Sequence, residues 1–285
     1  RIAPPPEPED RKPMVGWFDP VPLVTTGFNV LVSTLFGRHS DYRLLEALAA
    51  GFGTDVYDYS KAGERPRDEA WLDYVADTGD GWNPTYAVAY WCSRDHLSVA
   101  TSSGAHFDTR AGDILVFGGD QVYPTASRRG YQDRLVKPFE TARAYSREPA
   151  PDVFAIPGNH DWYDSLVSFT RLFCSGRWFK GWRTRQKRSY FALKLPHGVW
   201  LIGADVQLGS DIDALQIEYF KAVAAQTQKG DRIVVCTAEP HWIAARAYQE
   251  MDPESNENNL RYFETVLQGN GASIVAYLAG DLHHY

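Results

Sequence analysis

Five apolar runs in this chain close on residues that could hold a metal. WLDYVAD ends on Asp77, DILVFGGD on Asp120, and DVFAIPGNHD carries Asn159 with His160. RIVVCTAEPH ends on His241, and SIVAYLAGD on Asp281, with His283 two residues beyond. A single aspartate after a strand is ordinarily a turn or cap residue. Five such ends gathered on one sheet edge are harder to ascribe to chance, because ligands of α/β sheets bind at the carboxyl ends of the strands. Carboxylate and imidazole together suit Mn, Fe or Zn better than Ca or Mg.

The elements that must position these residues follow from the hydrophobic pattern. The five runs are short, rich in β-branched and aromatic residues, and apolar throughout, as expected for strands buried on both faces. Helical patterns separate them: PTYAVAYWC, DRLVKPFETARAY, SLVSFTRLFC, DALQIEYFKAVAAQ and NLRYFETVLQ. Residues 189–205 instead alternate around Pro-His-Gly, which predicts a β-hairpin and with it a second sheet. The opening 1–13, RIAPPPEPEDRKP, is a Pro-rich, charged tail. Residues 14–68 are expected to form an accessory segment with helical character at 41–50, and the main domain is expected over 69–285.

A chain that is 44% hydrophobic and 14% aromatic can build a sizeable core, so wholesale disorder is excluded. The net charge of −7 argues against general nucleic-acid binding. Cys92, Cys174 and Cys236 are widely spaced, odd in number and without a CxxC, which predicts reduced thiols and a cytoplasmic setting, or a peripheral one on the cytoplasmic side of a membrane. No run approaches the ~20 apolar residues that span a bilayer.

In order, D-x-G, G-G-D-x-x-Y, G-N-H-D, an isolated His and G-D-x-H resemble the boxes of the calcineurin-like metallophosphoesterases, with GNHD the most specific. The resemblance implies a four-layer αββα sandwich of two mixed sheets flanked by helices, preceded here by the N-terminal extension. It implies two divalent or mixed-valence transition metals and a phosphorylated substrate. Asp77 and His283 would bind the first metal, Asn159 and His241 the second, and Asp120 both. His160 would protonate or stabilise the leaving group, with Asp161 orienting its ring. Two ions ~3.5–4 Å apart call for such a bridging carboxylate, and a hydroxide held between them could attack phosphorus in line.

Two boxes depart from the family pattern. Gly79 stands where most members carry a histidine. Purple acid phosphatases share D-x-G and follow it with G-D-x-x-Y, whose tyrosine binds ferric iron, and Tyr123 stands at the matching position. Tyr123 is thus either a ligand favouring Fe(III) or a residue packed ahead of Pro124. Asp281 replaces the usual first histidine of the last box, and either completes the second site or holds His241 or His284 by a hydrogen bond. His284 is not expected to ligate, since neighbours on an extended segment face opposite ways. The sandwich is expected to continue beyond Tyr285.

Arg128 and Arg129 are candidates for gripping substrate. Residues 177–188, RWFKGWRTRQKR, interleave six basic residues with aromatics and read as a solvated loop or as a contact for an anionic surface. The rival to the hydrolase is a catalytically degenerate member of the same fold, a partner-binding or membrane-surface module, motivated by Gly79 and Asp281.

Overall fold

Ile114–Phe117 is buried at every residue, as its unbroken apolar run requires, because it pairs in parallel with a strand on either side. In the computed structural model, which describes residues 11–16, 27, 54–143, 150–206, 212–242 and 258–281, it sits within one of two five-stranded mixed sheets. The first sheet runs Leu72–Val75, Ile114–Phe117, Asp152–Ala155, Trp182–Thr184 and Trp178–Phe179, with only the last pair antiparallel. The second runs Val56–Asp58, Phe191–Leu195, Val199–Gly203, Arg232–Cys236 and Ser273–Leu278. Its antiparallel pair is the hairpin predicted around Pro-His-Gly.

The period-2 alternation of strand side chains divides the core into layers. Ile114, Val116, Phe154 and Ile156 meet Phe191, Leu193 and Leu201 between the sheets. Leu115, Phe117, Val153 and Ala155 turn the other way, onto Phe139, Phe169 and Phe173 of the flanking helices. On the far side Trp200, Ile202, Ile233 and Val235 pack with Phe220 and Phe263. The result is the αββα sandwich.

Local chemistry sets the helices that cover it. Asp213 caps Ala214–Ala224 by accepting from the N–H groups of Leu215 and Gln216. Asn258–Leu267 buries Leu260, Phe263 and Leu267, one stripe of an otherwise polar helix. Before Lys137–Ala142 the helix widens to a π-type turn over Tyr131–Val136. Pro138 has no N–H to return to Arg134, and a widened ladder is a usual response.

Several elements differ from expectation. Val56–Asp58 pairs in parallel with Phe191–Leu195, so the core takes a strand from before residue 69. A single three-residue strand has too little pattern to be read from sequence. Another unforeseen element is the hairpin His96–Ala100 with His106–Arg110, most of which is exposed. The segment 177–188 is an edge hairpin and not a solvated loop. It buries Phe179 and Trp182, and four of its six basic residues pair with Asp152 or Asp55. The expected helix at 41–50 and most of the tail lie outside the described residues. No described helix is long and apolar enough to cross a membrane.

Phe154 sits where the sheets meet, 4.9 Å from Tyr57 and 5.1 Å from Phe191 between ring centroids. Phe154→Ala should therefore lower stability by ~3–5 kcal/mol, seen as a fall in the urea midpoint. An unchanged midpoint would show that the intersheet layer does not hold the sandwich together.

Candidate metal centre

Three strand ends converge on one edge, and each delivers an aspartate in the left-handed region: Asp77 at φ 54°, Asp120 at 51° and Asp281 at 71°. Aspartate tolerates this conformation better than most residues, yet such backbone is uncommon and clusters at functional sites. Glycines allow the approach. A Cβ on Gly158 would stand 2.1 Å from Asp120 Oδ1, and one on Gly280 would stand 2.4 Å from Asp77 Oδ2. The N–H of Asp281 donates to both oxygens of Asp77, at 3.1 and 3.0 Å, which ties the end of the second sheet to the first.

Tyr123 completes the cluster. It is 3% exposed, and its hydroxyl lies 3.3 Å from both Asp77 Oδ1 and Asp120 Oδ2. The other oxygen of Asp120 accepts the His160 N–H at 3.0 Å. Burial raises the Asp120 carboxyl well above its ordinary value, and the negative charges of Asp161, Asp77 and Asp281 raise it further. Burial and the charges of Asp120 and Asp77 raise the Tyr123 phenol in the same way. A cation between these groups would reverse both shifts. The donor set of carboxylates and a phenol is all oxygen, which suits a hard cation.

The surrounding residues hold this geometry. Asp161 is fully buried and accepts from the hydroxyl of Tyr131 and the N–H groups of Gly158 (2.9 Å) and Gln121 (3.3 Å). It thereby staples the loop carrying Asp120 to the one carrying Asn159. The expectation that Asp161 orients the His160 ring is corrected: Nδ1 of His160 meets the Pro124 carbonyl at 2.6 Å. Since a carbonyl only accepts, Nδ1 carries the hydrogen. Asn159 reaches the Tyr163 hydroxyl at 3.3 Å.

His241 does not join the cluster in the arrangement described. Its Nε2 lies 3.5 Å from Glu264, its Nδ1 lies 3.4 Å from Thr237 Oγ1, and its ring packs on Tyr277. Glu264 belongs to the outer helix, so the imidazole turns towards that layer. His283 and His284 lie outside the described residues. Among the described residues, no group of three or more His, Cys, Asp or Glu is arranged to hold an ion. Arg128 and Arg129 are exposed, and Arg129 pairs with Asp133 at 3.3 Å. Asp80, three residues after Asp77, accepts the Val15 N–H at 3.0 Å.

Sequence reading missed Tyr131, Pro124, Tyr163 and Glu264, whose types carry no motif. The glycines were visible, since G-D, G-N and G-D precede the three box residues.

A family model for calcineurin-like phosphoesterases matches residues 75–285. The chain belongs to that family. Comparison with curated proteins finds no match.

A carboxyl raised in the folded state binds its proton more tightly folded than unfolded. Stability of the metal-free protein from this edge should therefore fall as pH rises from the ordinary carboxylate range near 4 towards neutrality. Asp120→Asn should flatten that part of the thermal-melt profile, and an unchanged slope would remove Asp120 as its source. Gly79→His should fail to restore the family's usual ligand. Its φ is +83° and a Cβ would sit 1.9 Å from the Gln121 carbonyl oxygen. A lower melting temperature without gain in bound metal is expected, and a stable variant binding more metal would contradict it.

Proposed function

We propose that this protein is a metal-dependent phosphoester hydrolase. The observation that carries the reading is the meeting of Asp77, Asp120 and Tyr123 at one point among negative neighbours, which creates a deficit of positive charge. Asp77, Tyr123 and His283 would hold one ion, Asn159 with Asp281 or His241 the other, and Asp120 would serve both. Bound there, the metals would act as Lewis acids on phosphate oxygens and lower the pKa of water towards neutrality.

The chain's own residues then have distinct tasks. Asp120 is held by the His160 N–H through one oxygen and turns the other towards Tyr123. His160, with its Nδ1–H committed to Pro124, exchanges protons at Nε2, where it would protonate the leaving oxygen. Asp161 acts at a distance, by keeping the two loops in register. Arg128, near this loop and exposed, would contact the remaining phosphate oxygens.

A second reading, a binding module on a degenerate edge, is favoured by specific observations. His241 is engaged by Glu264, Gly79 replaces a histidine, and the described residues hold no qualifying ligand group. On ligand geometry among the described residues alone, this second reading is the better supported. The hydrolase reading rests on the charge deficit and on the hydrogen-bonded scaffold around residues 158–161.

Hydrolysis of chromogenic phosphate mono- and diesters separates them. Chelator-stripped protein would be reloaded with Mn, Fe or Zn, with Asp120→Asn as control. Metal-restored turnover should fall by at least ~100-fold in the variant, in line with loss of a principal electrostatic contributor. No turnover with any metal would leave the binding module as the function, and equal turnover in the variant would remove Asp120 from the site.

A further inference from the structure

A short strap at the N-terminal end of the described chain is seated against the metal edge. The Lys12 carbonyl accepts the Trp82 N–H at 2.9 Å, at the first residue of the helix Trp82–Cys92. The Val15 N–H donates to Asp80, and Arg134 donates to the carbonyls of Pro13 and Asp80. Arg11 lies over the Trp82 ring, 4.8 Å from its centroid, and donates to Asn83. Gly81 makes room, since a Cβ there would stand 2.9 Å from the Met14 nitrogen. These contacts fix one wall of a cleft beside the carboxylate cluster.

The cleft has a volume of about 360 Å³, within the range of small-molecule sites. It is continuous with the cluster, because Asp77 and Tyr123 line it. Its remaining surface is largely apolar, with Met14 on the strap, Ala76 on the strand end, and Pro84 and Val88 on the helix. Thr78 Oγ1, buried and without a hydrogen bond among the described residues, adds a polar point beside Asp77. The lining contains no Lys, Arg or His, and the charges it carries are those of Asp77 and Asp80. A second phosphate or a carboxylate on the substrate would lose its hydration there without gaining a basic partner, whereas an uncharged apolar group would gain from burial.

We propose that this cleft is the leaving-group subsite, and that the substrates are phosphate esters of uncharged, apolar alcohols of the aryl or alkyl kind. The inference rests on the phosphoester reading of the adjacent edge and adds to it the part of the substrate that the phosphate does not determine. Met14 and Val88 are then specificity-determining residues. Met14 is 61% exposed and offers its side chain to the mouth of the cleft.

Binding separates this inference from the reading beneath it. Calorimetric titration of the full chain, loaded with Mn, would compare phenylphosphonate with methylphosphonate. Phenylphosphonate should bind about tenfold tighter, as burial of much of a ring predicts. Met14→Ala and Val88→Ala should each narrow that ratio, and thermal melts would confirm that both variants fold. Equal affinities for the two ligands, or a ratio that both variants keep, would overturn the subsite while leaving the phosphoester reading intact. If neither ligand bound, the phosphoester reading would fail and the subsite with it.

Discussion

Like charge held at short range in a buried edge is the constraint from which most of this structure follows. Asp77, Asp120 and Asp281 each end a different strand, and Asp161 lies directly behind them. Water would ordinarily screen such a group, but Asp120 and Asp161 are almost wholly removed from solvent. The chain answers with backbone N–H groups, from His160 to Asp120, from Asp281 to Asp77, and from Gly158 and Gln121 to Asp161. Charge-assisted bonds of this kind are stronger than neutral ones. They satisfy the lone pairs without supplying the positive charge that the carboxylates still lack.

Those bonds require backbone to approach side chain closely, and the approach dictates residue choice over a wide area. Gly158 and Gly280 lie so near to Asp120 and Asp77 that a methyl group would collide with a carboxylate. Gly119 similarly faces Ala238, where a larger residue would push the two sheets apart. The three left-handed aspartates add strain of their own, at ~1–2 kcal/mol for an ordinary L residue and less for Asp. The three apolar layers behind the edge must supply the stability against which this local cost is set. Phe154, Trp182 and Trp200, all buried, are among the residues that do so.

What could be read from sequence depended on whether a feature was local. The five apolar runs were legible because each is a short, β-rich stretch that ends in a turn-forming residue. Ile114–Phe117 and Asp152–Ala155 are buried throughout as expected, whereas Ser273–Leu278, at a sheet edge, is exposed or half-buried along its length. Asp77, Asp120 and Asn159 were legible for the same reason, since a residue just past a strand inherits the strand's position. Val56–Asp58 was not, being three residues whose pairing partner lies over 130 positions away. The position of His241 could not be read either. Its strand was correctly identified, but its ring is turned by Glu264, a residue on a helix that the motif does not mention. The same holds for Asp161, where adjacency to His160 suggested contact and Tyr131 proved to be the partner. Sequence neighbours predict backbone position well and side-chain direction poorly.

Gly79 and Tyr123 illustrate how two departures can form one physical unit. At Gly79 the left-handed backbone and the nearness of Gln121 exclude any side chain, so the position cannot supply a ligand. Its backbone has another task. The Gly79 carbonyl accepts the Tyr123 N–H at 3.3 Å, and the Gly79 N–H donates to Thr85 Oγ1 at 3.0 Å. The glycine thus anchors the segment that carries the phenol and ties it to the start of the adjoining helix. Losing a histidine from the first box is coupled to holding a tyrosine from the second. The tyrosine hydroxyl ends between two carboxylates, 3.3 Å from each. Replacing either residue alone would break the unit, because the glycine's value lies in where it sets the tyrosine.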